Sequence, residues 1–209
     1  MISVEKTSRA GRPRAIPDPA PDLTAREQIL DAAAALFVTQ GFGSTSTRAI
    51  AEAVGIRQAS LYYHFAGKDD ILAELLERTV RPSAELAAQL QQRAGTDPAA
   101  AATALYELAH ADAALLASAP HNVGSLYLIP EVRDQRFDEF RSQRAGLQAV
   151  YGRLGRIAGN RTHDEMSEAV LGALLIQVVE VVIPLRRADE PPVDPAAVAA
   201  AVLRIVGLG

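Results

Sequence analysis

Residues 45–68 read TSTRAIAEAVGIRQASLYYHFAGK, and the fold is decided in this stretch. It predicts two short helices joined by a tight turn. The first runs from about Ser46 to Val54 and is capped by Thr45, whose hydroxyl can take up a free N–H of the first turn. Gly55 then supplies the left-handed conformation that ends a helix at no steric cost. The second helix runs from about Gln58 to His64. Ile50, Val54, Ile56 and Leu61 give the pair one apolar seam, and Ala51 is small where the helices must cross closely. This is the mechanical requirement of a helix-turn-helix. The second helix then offers Arg57, Gln58, Ser60, Tyr62, Tyr63 and His64 to a partner, while Leu61 and Phe65 turn to the core. Exposed aromatic and amide groups suit a DNA major groove better than a merely solvated helical hairpin.

The residues Gly41-Phe42, Thr45-Ser46, Arg48, Ile50-Ala51, Val54-Gly55-Ile56, Leu61-Tyr62-Tyr63-His64-Phe65, and Lys68 before Ile71-Leu72 resemble the tetracycline-repressor (TetR-like) family of transcriptional regulators. The likeness runs from Leu23 to Leu76, about a quarter of the chain, and is absent beyond it. One position departs from the pattern. Where the family usually carries a small capping residue such as Ser, this chain has Arg57, which weakens the cap and adds a donor suited to guanine or phosphate.

The resemblance implies an all-α chain. A three-helix DNA-binding head with the helix-turn-helix is joined to a larger helical ligand-binding and dimerisation body. Its expected division is a basic, proline-rich arm over 1–22, the head over 23–68 and the body over 69–209. In the head, Gln58 and Ser60 face base edges beside Ala59, and Arg48 and Arg57 reach guanine or phosphate. Thr45, Ser46, Tyr62, Tyr63, His64 and Lys68 are expected to contact phosphate or sugar, which positions a protein without reading sequence.

Composition is compatible with this. The 209 residues are 49% hydrophobic, enough for a proper core, and contain no Cys, so a disulfide framework and a thiolate metal site are excluded. No apolar region follows the first basic residues, so a cytoplasmic protein without a signal peptide is expected. Net charge is −4, but residues 1–68 hold 8 Lys+Arg against 6 Asp+Glu, and the remainder 13 against 19. The positive sign of the first part is the one DNA requires. In the arm, Lys6, Arg9, Arg12 and Arg14 precede Pro17, Pro19 and Pro21, which block a helix. It reads either as a chain that follows the DNA backbone or as a solubility tail.

Further along, Thr24-Ala25-Arg26-Glu27 is a capping box that opens a core helix with Ile29, Ala33, Leu36 and Phe37 on one face. Lys68-Asp69-Asp70 opens a fourth helix, with Lys68 pointing outward to a phosphate and Pro82 kinking or ending it. Asp97-Pro98 starts a helix to about Ser118, and Pro130 a long one to about Ala158. Thr162-His163-Asp164-Glu165 is a second capping box, for a helix to about Ile183, and Asp194-Pro195 starts the last helix. The apolar run 169–185 is interrupted by Gln177 and Glu180, so it reads as a buried helix and not a membrane span. Being apolar most of the way round, it is central in its own fold or packed on a copy of itself. By resemblance the last two helices form a homodimer interface through Leu171, Leu174, Val178, Val181, Val198, Val202 and Ile205.

No phosphate loop, His-x-x-x-His pair or nucleophile motif occurs, so neither catalysis, metal nor cofactor is expected. The expected partners are double-stranded DNA with a palindromic operator, a second copy of the chain, and a small, largely apolar effector, with no membrane. Tyr106, His110, Asn122, Tyr127 and Gln177 are the polar candidates for an effector pocket within 98–177. Two rivals stand beside this reading. One is a helical ligand-binding protein or enzyme that keeps the head as scaffold; the other is a helix-turn-helix protein acting through protein partners alone.

Overall fold

The computed structural model describes residues 23–159, 166–188 and 191–209. Among the described residues there are nine α-helices and no strand. Helix α1 (Ala25–Gln40) begins at the expected capping box, with Thr24 and Glu27 each serving the other's backbone N–H. It buries Ile29, Leu30, Ala33, Ala34 and Phe37. Helix α2 (Thr47–Val54) ends at Gly55, whose φ of 73° is left-handed, and α3 (Gln58–His64) follows after three residues. The cap of α2 is Ser46, which accepts from Ala49 N–H at 3.1 Å. It is not Thr45, which is buried and donates to Gly41 O at 2.9 Å. Adjacent hydroxyls of equal chemistry were separable only by the path of the loop.

Helix α4 (Lys68–Ala94) runs through Pro82 without ending. Pro82 and Arg78 are both exposed, so water can serve the Arg78 carbonyl that loses its partner. Helix α5 (Pro98–Ser118) starts at its Asp97 cap as expected. The long helix expected from Pro130 is instead two 3-10 turns (Pro130–Arg133 and Gln135–Phe137) and then α6 (Asp138–Ala158). Asp134 causes the interruption: its backbone is extended at ψ 149° and its carboxylate caps Arg136 N–H at 2.9 Å. Another 3-10 turn, Val123–Leu126, connects α5 to this region.

Helix α7 (Glu168–Glu180) is capped by Ser167; the Thr162–Glu165 box lies outside the described residues. The chain breaks at Val181 and continues as α8 (Val182–Arg187). Pro184 thus acts upstream of itself: its ring opposes the carbonyl of residue 180, and the break falls there. Helix α9 (Pro195–Ile205) starts at Asp194. By length and mean hydropathy, 2.0, Glu168–Arg187 could cross a membrane, but it is broken at Val181 and packs along α6.

The body is held by α6 on α7 and by α5 on α9, with α4 between the body and the head. At α6–α7 the backbones touch. A Cβ on Gly172 would lie 2.2 Å from Gln148 O, and one on Gly152 would lie 2.2 Å from Glu168 O. That contact settles which face of α7 looks inward. Leu171 is 1% exposed, and on α9 Val198 and Val202 are 5% and 0% exposed, so these three belong to the chain's own core and not to an interface. Leu174 and Val181 are at the surface with Val170, one stripe along α7, while Val178 and Ile205 are half-buried. Gly146, also on α6, has open space around it. Alanine at 172 should therefore lower stability by about 1–3 kcal/mol or more. Alanine at 146 should raise it by about 0.5–1 kcal/mol through helix propensity. Urea unfolding of the two variants should show midpoints moving in opposite directions.

Candidate nucleic-acid interface

Helix α3 has seven residues and one buried side chain, Leu61. Leu61 and, just past the helix, Phe65 are 0% and 4% exposed and fix α3 to the head core. Arg57, Gln58, Ala59 and Ser60 are exposed on the other side, with Tyr62 at 49% and Tyr63 at 87%. Arg57 is the N-cap residue and gives no side-chain cap; among the described residues its side chain has neither a hydrogen bond nor an ion pair. His64 is half-buried, its ring edge-on to Tyr63 at 5.2 Å.

The ridge is tied to α2. Gln58 Nε2 donates to Thr47 Oγ1 at 2.9 Å and to Tyr62 OH at 3.3 Å, and the two hydroxyls lie 3.2 Å apart. Thr47 was missed in the sequence, although its place in the first turn of α2 turns it toward α3. Arg48 pairs with Glu52 at 2.8 Å, but both side chains are largely exposed. Such a pair holds its arginine weakly and leaves it available to another anion. Ser46, while accepting from Ala49, keeps its own hydroxyl proton to give.

Two expected phosphate contacts are corrected. The hydroxyl of Thr45 is turned inward to Gly41 O and cannot reach a duplex. Lys68 does not point outward. Its Nζ donates to the carbonyls of Phe42 at 2.9 Å, Thr45 at 3.1 Å and Gly43 at 3.4 Å, and lies 4.4 Å from the Phe42 ring centroid. The carbonyls of the loop between α1 and α2 lie outside any helix ladder, and this lysine supplies donors to three of them.

In the body the five expected pocket residues do not converge. Tyr106 and His110 stack on each other along α5, at 6.1 Å, with His110 exposed. Gln177 is on the outer face of α7, bonded to Glu180 at 2.6 Å. Tyr127 is buried and donates to Thr79 at 2.8 Å. Asn122 alone borders an apolar cavity of about 370 Å³, which lies between α1, α4 and the end of α5 and not within 98–177.

Inside the body there is a polar cluster that the sequence reading missed. Asp112 is 5% exposed and accepts from Ser83 Oγ at 2.9 Å and Tyr151 OH at 3.1 Å. Asp112 shares the buried face of α5 with Leu105, Leu108 and Leu116, and a carboxylate on an apolar stripe was the available signal. Burial pushes its carboxyl up to about 6 against the two hydrogen bonds that favour the anion, and Glu180 adds to the rise. Burial together with the Asp112 charge holds the Tyr151 phenol well above its usual range. Arg144 and Glu180 pair nearby at 2.6 Å.

The profile of the tetR family of bacterial regulatory proteins matches residues 29–75, the helices just described. The HTH-type transcriptional regulator AcrR of Shigella flexneri is 38% identical over 73 residues, 35% of this chain and 34% of that one. The HTH-type transcriptional repressor KstR2 of Mycobacterium tuberculosis is 45% identical over 51 residues, 24% of this chain and 26% of that one. The chain thus spans about a third or less of the length of these curated relatives. The crystal structure of AmtR from Mycobacterium smegmatis is similar over far more. It superposes with a TM-score of 0.80 at 44% identity, covering 90% of this chain and 89% of that one.

The raised Asp112 carboxyl has a signed consequence. A carboxyl that binds its proton more tightly when folded stabilises the protein below its unfolded value near 3.9. That contribution is lost as pH rises through about 6. Wild type should lose about 2 kcal/mol between pH 4 and pH 7 relative to Asp112→Asn. Denaturant titrations of both proteins at the two pH values give the difference.

Proposed function

The chain belongs to the tetR family of bacterial regulatory proteins and is a helix-turn-helix regulator of transcription, and from that premise we propose that it is a dimeric repressor released from a palindromic operator by a small, largely apolar molecule. The observation that carries this reading is the ridge of α3. A seven-residue helix with one inward side chain holds Gln58, Ser60, Tyr62 and Tyr63 at the surface beside Arg57, whose side chain has no partner among the described residues. A solvated helix gains nothing from two exposed tyrosines; a groove wall does.

In this reading residues 23–68 are the head and 69–209 the body, and the protein works in the cytoplasm where its DNA is. Gln58 and Ser60 face base edges, Arg57 reaches guanine or phosphate, and Ser46, Arg48, Tyr62, Tyr63 and His64 hold the backbone. Residues 1–22, outside the described residues, keep the role of an arm toward DNA. The second copy docks on the α7 stripe of Val170, Leu174 and Val181, with Val178 and Ile205 at its margin. Two-fold pairing of identical stripes matches a two-fold operator. The relatives' printed functions, transcriptional regulator for AcrR and transcriptional repressor for KstR2, support regulation over an enzyme that keeps the head as scaffold.

The test is DNA binding by anisotropy with a palindromic fragment from beside the protein's own gene. Retention should fall steeply between 50 and 200 mM salt, by about 10³-fold or more for six or more phosphate contacts. Gln58→Ala should cost about 1–3 kcal/mol and relax preference at one base position. A complex indifferent to salt would end the DNA reading. For the dimer, Leu174→Arg should sediment as a monomer with its helical content intact, and an unaltered dimer would exclude the α7 stripe.

A further inference from the structure

We propose that the cavity where head meets body is the effector site, and that it takes a mainly hydrocarbon molecule with a single small polar group. The proposal rests, for its regulatory consequence, on the transcription-regulator reading; the site itself stands on geometry. Leu30 and Ala34 of α1, Leu75 of α4, Leu115 and Leu116 of α5 and Val123 of the following turn wall a space of about 370 Å³. That is within the low end of the range of about 300–1,000 Å³ for small-molecule sites. Its apolar walls suit an apolar guest.

The polar groups on its wall already have partners within the protein. Arg186 donates to Leu116 O and Ala119 O, each at 2.6 Å. Thr79 donates to Leu76 O at 2.6 Å and accepts from Tyr127 at 2.8 Å. Arg78 pairs with Glu74 at 2.8 Å, and Glu27 closes the Thr24 capping box. The Asn122 amide keeps its oxygen and one N–H, the other N–H donating to Ile183 O at 2.8 Å. It can meet one polar group of a guest.

The walls also say why a guest would be felt by DNA. One side is α1 and α4, which carry the head; the other is the end of α5 and its turn, which belong to the body. The two sides are joined at the cavity by Asp31 of α1 and His121 of the turn, 2.8 Å apart. A molecule between them spreads α1 from the turn, and the head changes its angle to the body. Reciprocity then requires that DNA weaken the guest by the factor by which the guest weakens DNA.

The test uses N-phenyl-1-naphthylamine, an uncharged aromatic amine with one N–H that fluoresces in apolar surroundings. Binding should saturate at one molecule per chain. It should weaken about ten-fold or more in Leu115→Trp and in Ala119→Leu, which fill the cavity. It should persist in Leu128→Ala, which alters the separate groove by Tyr127 and Phe140. Should Leu115→Trp fail to fold, Ala119→Leu decides. The dye should also weaken operator affinity about five-fold or more. Dye binding unchanged in the filling variants, or lost in Leu128→Ala, overturns the site. Dye held at the site with operator affinity unaltered overturns the coupling. If the dye-free protein retains no DNA at all, the regulator reading falls, and the site is judged on the dye alone.

Discussion

One continuous helix, α4, packs on the head at one end and in the body at the other, and the rest of the structure depends on that. Its first turns bury Ile71, Leu72, Leu75 and Leu76 against the head, and its later ones bury Ala87, Leu90 and Ala94 in the body. Pro82 lies between the two halves and has already removed one backbone hydrogen bond, so α4 couples head to body through a helix that can bend at that turn. Polar contacts set its orientation. Arg26 bridges from α1 to Glu74 and lies over the Phe65 ring at 4.5 Å, and Arg136 approaches Asp69 and Asp70 at 3.6 and 3.7 Å. Exposed pairs of this kind contribute about 0–1 kcal/mol each. They choose an angle; the leucines supply the stability.

The cavity follows from the same arrangement. Where α1, α4 and the α5 turn come together the chain places Ala34, Ala119 and Gly124, residues too small to fill the corner. At Gly124 even a Cβ would meet Ile183 at 2.6 Å, so that wall is closed by its neighbour and not by a side chain of its own. Deeper in the body the space is occupied, and the Ser83–Asp112–Tyr151 cluster is satisfied by its own members. A carboxylate left in such a place is tolerated because two hydroxyls face it.

How much of this was legible depended on how local the cause was. The Thr24 box, the Gly55 stop, the Asp97 cap and the inward turn of Leu61 and Phe65 are set within a few residues, and all were readable. Lys68 was not, because the carbonyls it serves are some 25 positions away and come together only in the folded head. Leu171 and Leu174 carry the same side chain, and composition cannot say which faces in. The close crossing at Gly152 and Gly172 says it. The pocket residues failed for a related reason: Tyr106, His110, Tyr127 and Gln177 are polar groups in an apolar body, but each finds a partner of its own. The partners that make Asp112 tolerable inside, Ser83 and Tyr151, come from two other helices 29 and 39 positions away.

The ridge itself carries a constraint on how it can read DNA. Gln58 is already bonded through its amide nitrogen to Thr47 and Tyr62. A two-way bond to adenine needs both the amide N–H and the amide oxygen. The nitrogen would therefore exchange at least one hydroxyl partner for the base, a trade of similar bonds with little net gain. The oxygen is the freer half, and it favours a base edge that donates. In compensation, the same bonds hold Gln58 and Tyr62 in place before DNA arrives, so less side-chain entropy is lost on binding. Selectivity at that position would then come from the fixed direction of the ring and amide, and the exposed Arg57 beside them would add attraction without needing such order.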